Sequence, residues 1–415
     1  MKQNDYSALE PVELLAPAGD LERLRYAIDY GADAVYIGGE VFGLRASAKN
    51  FTIEEIREGL QYAHDRGKRV YLTLNMIPHN DDLSYLPEYL KQLATLDLDA
   101  VILADPGTLM LVREHLPHME IHLSTQANNT NSGSAKFWHQ NGVKRIVLAR
   151  ELSFDEIVQI RRDTPPSLEF EAFVHGAMCI SYSGRCLLSN YMTGRDSNRG
   201  DCAQPCRWSY HLVEKGRPGE YFPIEENEAG TFIFNSKDLC MIDRIPELIR
   251  SGLHSLKIEG RMKTIYYVAS VVRVYREAID RFMADPENFV TDPAWMQELE
   301  KTSHREYTTG FYDGKPGADG QLYKDASYVR NYDFVGIVLS YDPETKTALV
   351  EQRNHFKLGQ ELEIIGPSYF ETRFVLEAME DASGNAIDVA PHARMKVRMR
   401  VPEELKPGYL IRRQA

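Results

Sequence analysis

Eight short apolar runs, each followed by an amphipathic stretch, occupy the chain between Val12 and Gly260. Runs of Val, Ile and Leu without strict alternation are typical of buried parallel strands, because both faces of such strands are covered. Eight strand–helix units favour a closed, TIM-like (β/α)8 barrel over an open doubly wound sheet, although the number of strands does not by itself establish closure. The runs are VELLAP from Val12, AVYIGG from Ala34, VYLTLN from Val70, AVILAD from Ala100, IHLST from Ile121, RIVLAR from Arg145, LEFEAFV from Leu168 and LKIEG from Leu256.

The strand–helix pattern stops between about residues 176 and 240, in a stretch rich in Gly, Arg, Asn and Ser that contains all five cysteines. This insertion follows the seventh run, so in a barrel it would lie on the catalytic face, where a long loop usually serves function. Within it we expect a hairpin that pairs YHLVEK from Tyr210 with TFIFN from Thr231, and then a helix from Leu239 to about Ile249.

Three parts are predicted along the chain. The barrel with its cysteine-bearing insertion spans residues 1–265, and a helical extension spans 266–330. Residues 331–415 form a small C-terminal antiparallel β-barrel domain, since short apolar strands are separated there by turn signals such as Gly366-Pro367. Capping residues mark three helix starts in the barrel: Asp20, Thr52 with Glu55, and Ser153 with Glu156.

The charge balance restricts the partners of the chain. A formal charge of −13, from 48 Lys and Arg against 61 Asp and Glu, excludes a protein coated in positive charge. Nucleic acid would have to meet a local basic patch on an acidic body. The amino terminus lacks an apolar stretch and no window approaches ~20 apolar residues, so we expect no signal peptide, no membrane span and a cytoplasmic location.

Polar residues at the carboxyl ends of the runs would share one mouth if the barrel closes. They include carboxylates, amides, an imidazole and guanidinium groups, and such a set suits a small anionic substrate. The alternative is that these residues cap helices and satisfy loop backbones. Glu169 and Glu171 point to the same side of one strand, so one of them is expected to be buried and paired. The mouth residues are Asn75, Asp105, Thr125, Gln126, Arg150, Glu151, His175, Glu259 and Arg261.

The five cysteines are better explained as ligands, reactive thiols or core residues than as a disulfide framework, because a cytoplasmic compartment is reducing. Thiolates are soft ligands that close tetrahedral zinc sites or hold iron–sulfur clusters. Structural zinc sites usually contain two closely spaced cysteine pairs, and here only Cys202 and Cys206 form one. The spacing therefore favours an iron–sulfur cluster over zinc. Burial of some thiols in the core is the alternative, and a lone catalytic cysteine would need a partner such as His175. The cysteines are Cys179, Cys186, Cys202, Cys206 and Cys240.

Arginines and aromatic residues are interleaved in the same insertion. Together they suit a phosphate backbone with a splayed base, or an anionic metabolite held bidentately by arginine; a solvated surface is the alternative. The cations are Arg185, Arg195, Arg199 and Arg207, with Lys257, Arg261 and Lys263 nearby, and the aromatics are Tyr182, Tyr191, Trp208 and Tyr210.

The segment EAFVHGAMCISYSGRCLLSNY, from Glu171 to Tyr191, resembles the defining motif of the collagenase-like peptidase U32 family. The opening ELLAPAGDLERLRYAIDYGADAVYIGG and the segments NRGDCAQPCRW, NSKDLC and HREYTTGFYDG are also similar, so the resemblance covers essentially the whole chain. Within the family the chain is similar to bacterial tRNA uridine 5-hydroxylation proteins. That likeness implies formation of 5-hydroxyuridine at the wobble position, a requirement for prephenate, a 4Fe-4S cluster on four cysteines, and tRNA and a second U32-family subunit as partners.

The resemblance also implies roles for individual residues. Cys179 and Cys186 match the motif directly and Cys202 is the favoured third ligand, while Cys206 and Cys240 compete for the fourth position. His175 and Glu171 match motif positions without an assigned chemistry, and they join Arg150 and Glu259 as catalytic candidates. The predicted substrate-binding residues are Asn75, Gln126, Arg185, Arg199, Lys257 and Arg261.

Two other functions are compatible with the resemblance. One is the peptidase activity for which the family is named, although the chain has neither H-E-x-x-H nor G-x-S-x-G. The other is a non-catalytic RNA-binding scaffold, which would bind tRNA without changing its nucleosides.

Overall fold

The computed structural model describes residues 9–40, 50–179, 181–183, 185–208, 211–212, 222–223, 236–316 and 328–415. In chain order its strands are β1 (Glu13–Pro17), β2 (Ala34–Gly38), β3 (Arg69–Leu74), β4 (Ala100–Leu103), β5 (Glu120–Leu123), β6 (Arg145–Val147), β7 (Glu169–Ala177), β8 (His211–Leu212), β9 (Phe222–Pro223), β10 (Asp238–Cys240), β11 (Ser255–Ile258), β12 (Tyr307–Thr308), β13 (Tyr332–Asp342), β14 (Thr347–Gln352), β15 (Phe356–Lys357), β16 (Glu361–Ile365), β17 (Glu371–Val375), β18 (Met379–Asp381), β19 (Val389–Ala390), β20 (Lys396–Arg400) and β21 (Leu410–Gln414).

Strands β1 to β7 and β11 form a closed barrel. Each pairs in parallel with the next, and β11 completes the ring by pairing with both β7 and β1. Ser255 therefore lies opposite Glu13 on one side and Glu171 on the other. Each of the eight apolar runs forms one barrel strand, which confirms the predicted TIM-like fold.

Helices surround the barrel and begin where the sequence predicts. The side chain of Asp20 accepts from the Arg23 N–H, and capping boxes begin the helices that follow Thr52 and Ser153. The helices are α1 (Leu21–Asp29), α2 (Ile53–His64), α3 (Asn80–Leu93), α4 (Pro106–His115), α5 (Ser132–Gln140), α6 (Phe154–Arg162), α7 (Leu188–Thr193), α8 (Ile245–Arg250), α9 (Ile265–Ala284) and α10 (Pro293–Glu300). In the described part of the chain, no helix has the length and apolar character that a bilayer crossing requires.

The insertion between β7 and β11 differs from two predictions. The predicted helix start at Leu239 is wrong, because β10 pairs antiparallel with β7 there and the α-helix begins only at Ile245. Strand β8 pairs with β9, while the expected partner, residues 231–235, lies outside the described residues.

The C-terminal strands form a curled antiparallel sheet, which confirms the predicted antiparallel β-domain. The order of its strands is β17-β16-β21-β13-β14-β20-β18. Buried ions join this sheet to the outer helices of the barrel. Arg412 on β21 contacts both carboxylate oxygens of Glu298 on α10, at 2.5 and 2.7 Å, and Arg273 on α9 contacts Glu298 at 2.8 Å. Burial alone would raise the pKa of Glu298, but hydrogen bonds from Arg412 and the charges of both arginines lower it to about 2.

Candidate functional site

A network of buried ion pairs fills the barrel below its mouth. Arg145 contacts Glu13 at 2.5 Å, Glu169 at 2.8 Å and Glu171 at 3.5 Å. Lys257 contacts Glu171 at 2.8 Å. Burial alone would raise the pKa of Glu171, but Lys257 and Arg145 outweigh it and hold that pKa below its usual range. Glu171 is therefore the buried, paired glutamate that the strand pattern predicts, and it lies beneath the mouth.

A cavity of about 350 Å³ lies above this network. Its volume suits a metabolite or a single base. Apolar side chains from the strands form part of the wall, and polar groups at the strand ends form the rest. Six of the predicted catalytic and substrate-binding residues line the cavity: Asn75, Gln126, Arg150, Lys257, Glu259 and Arg261.

Two cations are held against aromatic rings in the cavity wall. Arg150 donates to the carbonyl oxygen of Ala177 at 2.8 Å, and its guanidinium lies 3.9 Å from the centroid of the Phe173 ring. The ammonium of Lys257 lies 4.4 Å from the centroid of the Tyr36 ring. Because these contacts restrict both side chains, an anion would bind to cations that are already placed.

Arg261 provides a third cation, which is almost fully buried. It donates to Thr73 Oγ1 at 3.2 Å and to Asn50 Oδ1 at 3.3 Å. Gly38 makes room for the guanidinium, since a Cβ atom at that position would lie 2.3 Å from Nη1. Thr73 and Tyr36 also line the cavity and were missed by sequence reasoning. Strand alternation from Asn75 back to Thr73 is the signal that would have found the threonine.

Amide and hydroxyl groups form another side of the cavity. Asn75 Nδ2 donates to Ser124 Oγ at 3.4 Å, and Ser124 Oγ donates to Gln126 Oε1 at 3.4 Å. Asn75 Oδ1 and Arg150 Nε are buried without a hydrogen-bond partner among the described residues. Both residues line the cavity, but each of these two atoms has less than 1 Å² of accessible surface, so neither faces the open space.

Four thiols of the insertion line the same cavity: Cys179, Cys186, Cys202 and Cys206. The insertion is tied to the barrel, because the Ile77 N–H donates to the carbonyl oxygen of Asn198 at 3.3 Å. Across the ranges that the structure describes, no three His, Cys, Asp or Glu side chains are grouped closely enough to hold a metal ion. The four thiols are accessible or half-buried soft donors of the kind that hold an iron–sulfur cluster, but in this structure they line one cavity without converging on a single point.

Cys240 and His175 lie outside the cavity, opposite each other where β10 pairs with β7. Burial raises the pKa of Cys240 to about 12, and its Sγ lies 4.0 Å from the hydroxyl of Tyr275. Burial likewise lowers the pKa of His175 to about 3, among tyrosine rings. The positions of the thiols therefore favour Cys206 over Cys240 as the fourth ligand.

The two remaining substrate-binding candidates, Arg185 and Arg199, and the aromatic residues Tyr182 and Tyr191 belong to the insertion. Arg185 is exposed and does not line the cavity. Arg199 ends a short 3-10 helix, and its side chain lies outside the described atoms. Tyr182 lines the cavity and is 46% exposed, while Tyr191 on α7 is 89% exposed. Large exposed aromatic rings are available for stacking on bases.

Comparison with known proteins gives a consistent result over the whole chain. Residues 19–322 match the model of peptidase family U32, and residues 330–412 match that of its C-terminal domain. The chain is 45% identical over 401 residues to tRNA hydroxylation protein P1 of Bacillus subtilis, covering 97% of this chain and 94% of that protein. It is 40% identical over 441 residues to tRNA hydroxylation protein P of Escherichia coli, covering 96% of each. A 23S rRNA 5-hydroxycytidine synthase of Escherichia coli is 38% identical over 315 residues, 74% of this chain and 46% of that protein.

Proposed function

This chain belongs to peptidase family U32, and we propose that it is a tRNA-modifying enzyme that hydroxylates the wobble uridine to 5-hydroxyuridine. Two relatives that match nearly the whole chain are named tRNA hydroxylation proteins, and a third is named for a hydroxylated pyrimidine in ribosomal RNA. The observation that carries the proposal is the cavity at the barrel mouth, which is lined both by cations held in place and by four thiols.

Redox chemistry is required by this reaction. Replacing a C–H bond of uracil by C–OH is an oxidation, which acid and base side chains cannot perform alone. We assign Cys179, Cys186, Cys202 and Cys206 as the residues that hold a 4Fe-4S cluster, because all four line the cavity. When bound, such a cluster supplies one-electron transfer.

Prephenate is the proposed co-substrate, since its two carboxylates need cations and hydrogen-bond donors. Arg150 and Arg261 enter the cavity from different strands and would each bind one carboxylate. Lys257 remains paired with Glu171, so it adds positive charge at the cavity floor while its position stays fixed.

Base binding is assigned to the aromatic edge of the cavity. Tyr182 is both part of the lining and partly exposed, so it can stack on a uracil that has left the anticodon loop. The apolar wall of Ile102, Val147 and Phe173 would exclude water around the base.

Peptidase activity is less well supported by the site. A cysteine peptidase needs a base beside its thiol. Among the described residues, the cavity lining includes no histidine, and His175 is buried on the other side of the wall.

Expression in a bacterial strain without its own uridine-hydroxylating proteins tests the proposal. Mass spectrometry of tRNA nucleosides should show 5-hydroxyuridine with the wild-type chain and none with Cys179→Ser. Protein purified without oxygen should contain iron and sulfide and absorb broadly in the visible range. A colourless but fully active Cys179→Ser variant would contradict the assignment. Gelatin cleavage that disappears with Arg150→Ala would support a peptidase instead.

A further inference from the structure

Strand β20 of the C-terminal domain presents a row of cations to solvent. Its exposure alternates strictly, with Val397 and Met399 buried and the other three side chains exposed. The exposed residues are Lys396, Arg398 and Arg400, called the β20 strip below. Residues two apart on a strand project from the same face about 7 Å apart. That separation is comparable to the distance between consecutive phosphates along a nucleic-acid strand.

The neighbouring strands leave the β20 strip without ion pairs among the described residues. On β14, Glu351 lies opposite Lys396, but its carboxylate contacts Arg353 at 2.9 Å. Leu349 and Thr347 lie opposite the other two cations. On β18, Glu380 lies opposite Arg398 and is an acidic group facing the strip. Three positive charges are therefore offset by one nearby unpaired carboxylate, in a chain whose net charge is −13.

The Lys396 end of the strip lies on the mouth side of the barrel. Arg353, two residues beyond Glu351, contacts Glu22 at 2.6 Å. Glu22 is in the first turn of α1, which starts just after the carboxyl end of β1. In a (β/α)8 barrel this end of each strand surrounds the active-site mouth. The β20 strip therefore begins with Lys396 at about the level of the mouth and extends away from the mouth towards Arg400.

We propose that the β20 strip binds the phosphate backbone of the tRNA whose wobble base enters the cavity. This inference rests on the proposed function and adds a second contact surface to it. Unpaired Lys and Arg side chains on an acidic body give a local attraction for phosphate while the rest of the surface repels it. The contacts carry no sequence information, so they position the tRNA and leave the choice of base to the cavity.

Salt-dependent binding measures these contacts directly. The test variant is Lys396→Gln/Arg398→Gln/Arg400→Gln, measured by fluorescence anisotropy with labelled tRNA between 50 and 300 mM salt, roughly the range over which phosphate contacts weaken strongly. Each lost phosphate contact should reduce the slope of log Kd against log salt by about 1, so the triple variant should lose about 2 to 3. The matched control is Arg113→Gln/Lys136→Gln/Lys406→Gln, which removes three exposed cations that, like those of the strip, form no ion pair among the described residues.

The outcomes separate this inference from the proposed function. A reduced slope in the β20 variant alone, with near-normal nucleoside chemistry at saturating tRNA, supports the strip. Equal slopes for wild type, β20 variant and control, together with normal 5-hydroxyuridine formation, would overturn the strip and leave the function standing. Absence of 5-hydroxyuridine with the wild-type chain would overturn the function itself. Single variants such as Arg398→Gln provide the same readout if the triple variant is unstable in thermal unfolding.

Discussion

Lys257 and Glu171 form an ion pair of 2.8 Å at the boundary between the cavity and the barrel interior. Lys257 lines the cavity, whereas Glu171 is fully buried beneath it. Arg145 contacts the other oxygen of Glu171 at 3.5 Å and continues to Glu13. This cation of the cavity floor is therefore held in place by buried charges that do not line the cavity.

Replacing Glu171 by Gln should destabilise the protein by about 3 kcal/mol, because it leaves two cations with one buried carboxylate fewer. Urea denaturation measures this loss. The control Glu58→Gln removes a carboxylate from an exposed pair with Arg25 and should cost less than about 1 kcal/mol. An equal loss of stability in the two variants would show that the buried ion pair of Glu171 contributes no more than the exposed pair of Glu58.

The cysteines should separate into two groups. Cys186→Ser and Cys206→Ser should lose iron, sulfide and visible absorbance after purification without oxygen, because these thiols line the cavity. Cys240→Ala should keep all three signals, since its thiol is buried beside Tyr275. Loss of the cluster in Cys240→Ala, with folding intact by circular dichroism, would instead make Cys240 a ligand.

His175 should make the protein less stable in acid. Its pKa in the folded state is about 3, below the ordinary value of 6.5, because of burial. Between these values the unfolded chain binds more protons, so stability falls as pH decreases from 6.5 towards 3, by up to about 1.4 kcal/mol per pH unit. Urea denaturation at several pH values should show a smaller slope for His175→Phe. The exposed His118→Phe should keep the wild-type slope, and an unchanged slope in His175→Phe would mean that another group titrates.

Tyr191 should contribute to tRNA binding by stacking. Tyr191→Ala should weaken tRNA binding by about 1–3 kcal/mol, the range for one stacked base, which is roughly 5- to 150-fold in Kd. Thermal stability should hardly change, because the side chain is 89% exposed. Tyr85→Ala on α3, 71% exposed, is the matched control and should bind normally. Equal affinity for all three proteins would remove Tyr191 from the RNA-binding surface.

Much of the barrel could be predicted from the sequence, because the features that mark its strands and helix starts involve only residues close together in the chain. The apolar runs and the capping residues Thr52 and Ser153 depend on near neighbours, and the structure confirms them. Closure depends on the pairing of the last barrel strand, β11, with the first, β1, where Ser255 lies opposite Glu13, so the number of runs favoured closure without establishing it. The helix start predicted at Leu239 is wrong for the same reason, since β10 forms through its pairing with β7 and β12, which lie far away in the sequence.

Several predicted residues at strand ends line the cavity, whereas the two predicted residues within β7 do not. Arg150 and Arg261 follow strands directly and line the mouth. His175 and Glu171 lie within β7, where burial decides their surroundings. The pairing of β7 with β11 shifts register between Lys257 and Ile258, opposite Phe173 and His175, so alternation cannot be extended across this point. The family motif therefore singled out His175 and Glu171 as candidates. It could not show that both side chains lie outside the cavity lining.

The buried contacts of Arg412 with Glu298 have a consequence for substrate choice. Separating the β-domain from the barrel would break the buried ion pair between Arg412 and Glu298, which is strongly unfavourable. The distance between the two parts is therefore fixed. The span between the β20 strip and the cavity is thus set when the chain folds. With tRNA as the proposed substrate, this fixed distance would select an RNA arm by its length and curvature before any base enters the cavity.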